Sequence, residues 1–261
     1  MKITLDNGIT LGYDDAGTST HTLVFTHGLG CDRGFMAPQV DYFGDRYRII
    51  NVDLRGHGES DKPREDYHPD VQAHDLAQLC MKLGITRPML VGHSLGGVVG
   101  LRLAHLCPDL LSGLIALDSA IAVTPEVAEF TPAIVGRLEG LEGADYRKAV
   151  IEVVTGFFLA HDDPDRREMI LDTMSSCRKD VFLSGWLQTV IHTDTVGPLT
   201  SLSIPMLYIA APTPNGGLDQ IRAAANVSVA QTVGSGHFIE LECPEQVNAM
   251  IARFLYVNDF V

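Results

Sequence analysis

The chain has 261 residues, 46% of them hydrophobic, with 33 acidic against 19 basic residues and a formal net charge of −14. That length suits one large α/β domain with a full core and an inserted segment, and the composition excludes a disordered chain. The acidic balance, with no cluster of Lys or Arg, argues against nucleic acid and against an anionic membrane as partner, because phosphate binding wants clustered cations.

Residues 2–13 read as a hairpin. Ile3 and Leu5 alternate, Asn7-Gly8 turns, and Ile9, Leu11 and Tyr13 alternate back. This start lacks the continuous apolar run of a signal peptide, and no stretch reaches the ~18 apolar residues of a membrane span, so a cytoplasmic protein is expected. Residues 22–26 and 47–52 are short buried strands, each followed by a loop rich in turn formers: His27-Gly28-Leu29-Gly30 and Asp53-Leu54-Arg55-Gly56-His57-Gly58. Residues 69–83 have helical spacing. Pro88-Met89-Leu90-Val91 is a strand, Gly92-His93-Ser94-Leu95-Gly96 a corner, and Val98, Val99, Leu101, Leu103 and Ala104 the apolar face of a helix. Leu114 to Leu117 form the next strand, ending at Asp118. From 119 to 200 the alternation breaks into helices, over 146–159, 165–174 and 179–191. Strands return at 204–209 and 227–231, and an amphipathic helix covers 244–255. Strands alternating with helices predict a mostly parallel, doubly wound sheet with helices on both faces. Residues 1–118 and 198–261 form its core domain, and 119–197 an inserted helical cap.

The Gly-x-Ser-x-Gly corner marks Ser94 as a nucleophile. In such a turn the serine is strained, its hydroxyl stands at the sheet edge, and the helix beyond offers free N–H groups. A serine hydroxyl needs a base. Of ten histidines, His237 in Gly234-Ser235-Gly236-His237-Phe238 lies on a carboxyl-end loop, on the same sheet edge as Ser94. His27 and His57 sit in glycine-rich loops and read as structural, and His93 as pointing behind the corner. Two N–H groups stabilise an oxyanion; Leu95, after the nucleophile, and Leu29, in the first glycine-rich loop, are the candidates.

Taken together, His27-Gly28-Leu29-Gly30, the run from Asp53 to Pro63, Gly92-His93-Ser94-Leu95-Gly96-Gly97 and Gly236-His237-Phe238 occur in the order of the α/β-hydrolase family, which the chain resembles throughout apart from the cap. The resemblance implies the α/β-hydrolase fold and a Ser-His-acid triad. The family's usual acid follows the strand that here ends at Ile209, but the chain there reads Ala-Ala-Pro-Thr-Pro-Asn-Gly-Gly-Leu, with no carboxylate before Asp219. A minority of the family carries the acid on the strand after the nucleophile helix, which points to Asp118, with Asp219 and Glu240 as the alternatives.

The expected activity is that of a carboxylesterase acting through an acyl-enzyme on a small, largely apolar ester, with no cofactor and no metal, as a monomer or homodimer. A cofactor-free dioxygenase of the same fold acting on an N-heteroaromatic, and a receptor-type member with slow turnover, are the alternative readings. Phe35, Met36 and Trp186 are the candidate pocket residues. Phe130, Phe157, Phe158 and Phe182 read as core or pocket, and Arg33 as a solvated loop residue or a partner for a substrate carboxylate. The five scattered cysteines show no Cys-x-x-Cys and suggest neither a disulfide framework nor a zinc site; Cys31 could line the pocket.

Overall fold

The computed structural model of the chain describes residues 1–64 and 67–260. The hairpin forms from β1 (Lys2–Thr4) and β2 (Thr10–Ala16), closed by the Leu5 N–H on Ile9 O at 2.7 Å. β3 (Thr22–Thr26) leads through a short 3-10 turn at Arg33–Met36 into α1 (Ala37–Phe43) and β4 (Arg48–Val52). α2 (Pro69–Lys82) starts where its preceding residue, His68, accepts the Asp70 N–H on its ring. β5 (Met89–His93), α3 (Leu95–Leu106) and β6 (Gly113–Leu117) follow. Five helices lie between β6 and β7: α4 (Pro125–Glu139), α5 (Gly143–Thr155), α6 (Pro164–Ser176), α7 (Lys179–Leu187) and α8 (Val196–Thr200). β7 (Met206–Ala210), α9 (Leu218–Ala223), β8 (Val227–Gln231), α10 (Ile239–Glu242) and α11 (Pro244–Val257) complete the described chain.

The strands form one eight-stranded sheet in the order β1-β2-β4-β3-β5-β6-β7-β8, parallel at every junction from β4 to β8. β3, β5, β6 and β7 are buried at every residue, as a sheet covered on both faces requires. Val24, Leu90 and Leu114 pack on one face among residues of α2 and α3. Phe25, Val91, Ile115 and Ile209 pack on the other with α1 and α11. The order reverses between β3 and β5, the place where open α/β sheets leave a crevice at their carboxyl ends. The loops after β3, β5, β6, β7 and β8 all open on that edge. Among the described residues no helix is long and apolar enough to cross a membrane.

The segment between β6 and β7 differs in detail from the sequence reading. α4 lies outside the three helices expected there, because Pro132 interrupts its pattern; in the fold the Thr131 hydroxyl donates to Val127 O at 2.9 Å in the turn before the proline. The helix expected over 146–159 stops at Thr155, with Gly156 as its cap. The one expected over 179–191 changes at Leu187 into a π-helical turn, Gln188–His192. Such turns often occur where a helix must redirect side chains toward a site.

Candidate active site

Ser94 stands between β5 and α3 with φ 49° and ψ −114°, a conformation that costs a non-glycine residue about 1–3 kcal/mol. Its N–H donates to Leu117 O at 2.9 Å, and its carbonyl accepts the Gly97 N–H at 3.2 Å, so the corner is tied to β6 and to α3 at once. The strand and helix cross so closely that a Cβ on Gly92 would strike the Gly96 backbone. Leu95 is the first residue of α3, so its N–H has no partner within the helix.

Two buried histidines shape the loop that carries Leu29. His27 Nδ1–H donates to Gly28 O at 2.7 Å while Nε2 accepts the Leu54 N–H at 3.1 Å. His57 Nδ1–H donates to Arg55 O at 2.9 Å while Nε2 accepts the Gly30 N–H at 3.0 Å. Each ring uses one donor and one acceptor, which only the neutral form provides. Burial accordingly pushes His57 down to about 3 and His27 below its ordinary range. Both are structural, as expected.

Asp118 directly follows β6 with φ 40° and is fully buried. Its Oδ2 accepts His237 Nδ1–H at 2.7 Å. Asp219 sits instead in the first turn of α9, and Glu240 lies behind His93. Asp118 Oδ1 takes the N–H groups of Ala211 and Asn215 at 3.0 and 3.3 Å. Asn215 was not singled out in the sequence, although it occupies the loop after β7 where the family's usual acid would fall. Its Nδ2 lies 3.1 Å from Asp118 Oδ2 and 2.7 Å from His237 Nδ1.

The backbone around His237 is held on every side. Its N–H donates to Phe157 O at 3.0 Å, from the turn after α5. The Glu242 carboxylate accepts the N–H groups of the flanking residues, Gly236 at 2.5 Å and Phe238 at 3.0 Å. Gly236 is needed there, because a Cβ would meet Phe157 O. The His237 carbonyl accepts His93 Nε2–H at 3.1 Å. That bond leaves His93 Nδ1 bare, facing Glu240 Oε1 at 3.2 Å. Both side chains are buried; burial drives His93 well below its ordinary range and Glu240 well above its own, which favours the neutral form of each.

Glu240 therefore carries a stability signature. A carboxyl whose folded pKa is raised stabilises fully below its unfolded value, and that contribution is lost as pH rises toward the folded one. Glu240→Gln keeps the shape without the ionisation. Thermal unfolding is expected to show Glu240→Gln several degrees above wild type at pH 8, with the gain vanishing near pH 4.5. An equal offset at both pH values would show that Glu240 is ionised in the fold.

Ser94, Leu29, Leu95, His237 and Asn215 all line one cavity of about 240 Å³. Its far walls are apolar. α4 presents Val127, Phe130, Thr131 and Ile134 at helical spacing, and Phe157, Met174, Phe182 and Trp186 close other sides. Phe130 is exposed and stands at the mouth. The wall hydroxyls turn back on their own helices, Thr131 to Val127 O and Thr189 to Gly185 O. Among the described residues the lining includes no Lys, Arg, Asp or Glu.

Trp186 and Cys31 line the cavity, whereas Phe35 and Met36 do not. Asp32 caps the 3-10 turn by accepting the Gly34 N–H at 2.8 Å, and that turn carries both side chains into the interior. Met36 joins the layer beneath the sheet, and Phe35 packs toward Phe238 with ring centroids 6.2 Å apart. Phe158 likewise stacks on Phe238 at 5.4 Å. Arg33 is partly exposed in its loop and is not free for a substrate: it pairs with Asp14, Glu59 and the buried Asp53.

The family model described as Alpha/beta hydrolase family matches residues 23–250. The chain is similar to 3-oxoadipate enol-lactonase 2 of Acinetobacter baylyi, 26% identical over 260 residues with 94% of each chain covered. Among solved structures it is similar to a thermophilic esterase from Thermogutta terrifontis, with TM-score 0.84 and 26% identity, covering 99% of this chain and 98% of that one. The enol-lactonase from Burkholderia xenovorans LB400 shares the fold, with TM-score 0.85 over 98% of this chain and 100% of its own at 23% identity.

Proposed function

The chain belongs to the alpha/beta hydrolase family, and from that premise we propose that it is a serine hydrolase cleaving esters of small, apolar, uncharged acyl groups through an acyl-enzyme. The observation that carries the reading is the hydrogen bond from His237 to the buried Asp118 at a cavity that also holds Ser94. Asp118 keeps the His237 proton on Nδ1, which leaves Nε2 bare to take the Ser94 proton. Ser94 Oγ attacks the ester carbonyl, and the N–H groups of Leu29 and Leu95 receive the developing oxyanion. His237 returns its proton to the leaving alcohol. Water, activated by the same imidazole, then releases the acid. The helical segment at 119–197 acts as the cap that walls off the acyl group, and the reaction so written uses no cofactor.

The lining sets the acyl class. By its name the Acinetobacter relative acts on the enol-lactone of a dicarboxylate, which keeps one carboxylate. A carboxylate in the cavity of this chain would meet no cation among the described residues, and an unpaired buried charge costs several kcal/mol. Uncharged acyl chains lose nothing of that kind.

The test is a p-nitrophenyl ester series. From acetate upward, kcat/KM is expected to rise about 3- to 4-fold per methylene until the cavity is filled, then fall. The hemisuccinate, matched in length to an uncharged ester, is expected at least about 100-fold slower. Trp186→Ala moves the optimum to a longer chain. No ester turnover, with oxygen uptake on an N-heteroaromatic or with ligand-induced stabilisation alone, would sink the reading.

A further inference from the structure

We propose that Asn215 is a positioning residue of the acid–imidazole pair: its amide orients Asp118 on His237, from a place where a carboxylate would itself reach the imidazole. The inference deepens the serine-hydrolase reading and rests on it.

Three atoms meet in a tight triangle. Asp118 Oδ2 receives His237 Nδ1–H at 2.7 Å and Asn215 Nδ2–H at 3.1 Å, while the two nitrogens lie 2.7 Å apart. Two donors cannot bond to each other, so both bond to the carboxylate between them. Asp118 cannot turn away, because its Oδ1 is held by the Ala211 and Asn215 N–H groups. Asn215 cannot flip either, since its Oδ1 would then face Asp118 Oδ2, acceptor against acceptor. Residue 215 thus grips both carboxylate oxygens, one through its backbone and one through its side chain. It also lines the cavity, as His237 does.

The same triangle makes the two positions interchangeable. An oxygen at the place of Asn215 Nδ2 would lie at hydrogen-bonding distance from His237 Nδ1. In the swapped pair Asp118→Asn with Asn215→Asp, the amide at 118 keeps its oxygen on the two N–H groups and donates its Nδ2–H to the carboxylate at 215, which now accepts His237 Nδ1–H. With Asn215→Asp alone, two carboxylates stand about 3 Å apart, where like charges raise the proton affinity of the cluster.

The experiment measures kcat, KM and the pH profile of kcat/KM with p-nitrophenyl butanoate for wild type, Asn215→Ala, Asn215→Asp, Asp118→Asn, the swapped pair and Ser94→Ala, with thermal unfolding of each. Asn215→Ala is expected to lower kcat about 10-fold with KM within about 2-fold, the signature of lost alignment. Asn215→Asp is expected to move the acidic limb up by about one pH unit, because added negative charge favours the imidazolium. The swapped pair is expected to exceed Asp118→Asn by about 100-fold or more. A folded swapped pair no faster than Asp118→Asn overturns the proposal. Should the swapped pair not fold, an Asn215→Asp profile superimposed on wild type overturns it equally. Ester turnover that survives Ser94→Ala overturns the serine-hydrolase reading instead, so the two failures are distinct.

Discussion

Alanine at Ser94, alanine at His237 and the double substitution are expected to lower kcat for ester hydrolysis by the same factor, about 10⁵–10⁶. The equality is the informative part. Ser94 and His237 stand on different loops but perform one step in the proposed mechanism, since there the hydroxyl attacks only as its proton leaves for the imidazole. Once either is gone, the other has nothing left to lose. Independent contributions would multiply to a far larger loss in the double variant. KM is expected to move little, because the cavity walls on α4, Phe182 and Trp186 are not touched. What remains in all three variants is the activity of the oxyanion groups and the cavity, which is about 10³–10⁴-fold over water in other enzymes of this chemistry. Steady-state rates on one ester across the four proteins decide the matter. A double variant slower than both singles by orders of magnitude would mean that Ser94 and His237 act in separate steps.

The parts of this site that were legible in the sequence are those encoded by local backbone demands. A serine at a strained corner needs glycine on either side, and a neighbouring backbone that approaches closely needs glycine again; Gly92, Gly96 and Gly236 write those demands into the chain. Asp118 was legible for a different reason. The loop after β7 lacks a carboxylate before Asp219, and the resemblance to the minority of the family with its acid on the strand after the nucleophile helix pointed to the end of β6. Asn215 was not legible, because its contact with Asp118 spans 97 residues and depends on the loop after β7 folding back over β6. Glu242 and Phe157 escaped for the same reason, since each acts on His237 through the backbone, and a backbone bond leaves no mark on residue type. α4 was hidden by Pro132. Phe35 and Met36 misled through their place in sequence: adjacency to a substrate loop does not set which way the next turn faces, and the Asp32 cap turned both inward.

Asp118→Asn is expected to lower kcat by about 10⁴ while leaving the fold and KM nearly intact. The surroundings of residue 118 decide how the new amide must lie. Two backbone N–H groups, from Ala211 and Asn215, point at the inner oxygen, and only an oxygen satisfies them. The amide nitrogen of an asparagine is therefore forced outward, toward His237 Nδ1 and Asn215 Nδ2. A donor now faces Nδ1 where an acceptor stood, and with the Asn215 amide still presenting its own donor the imidazole places its proton on Nε2 and accepts at Nδ1; an Asn215 amide turned over to present Oδ1 would instead hold the Nδ1–H form without the charge. The Nε2–H tautomer has no lone pair for the Ser94 proton. The imidazolium also loses the carboxylate that would have balanced it at 2.7 Å. An exposed acid could be replaced with less effect, because the side chain or a water could adjust; Asp118 is fully buried and fixed at both oxygens, so the lost carboxylate has no replacement of like charge. The ring nitrogens report this directly. Nitrogen NMR of labelled histidine is expected to show His237 protonated on Nδ1 in wild type and on Nε2 in Asp118→Asn at neutral pH. A variant that loses activity while keeping the Nδ1–H form would mean that Asp118 acts through charge alone, and a variant with near-full turnover would remove Asp118 from the site altogether.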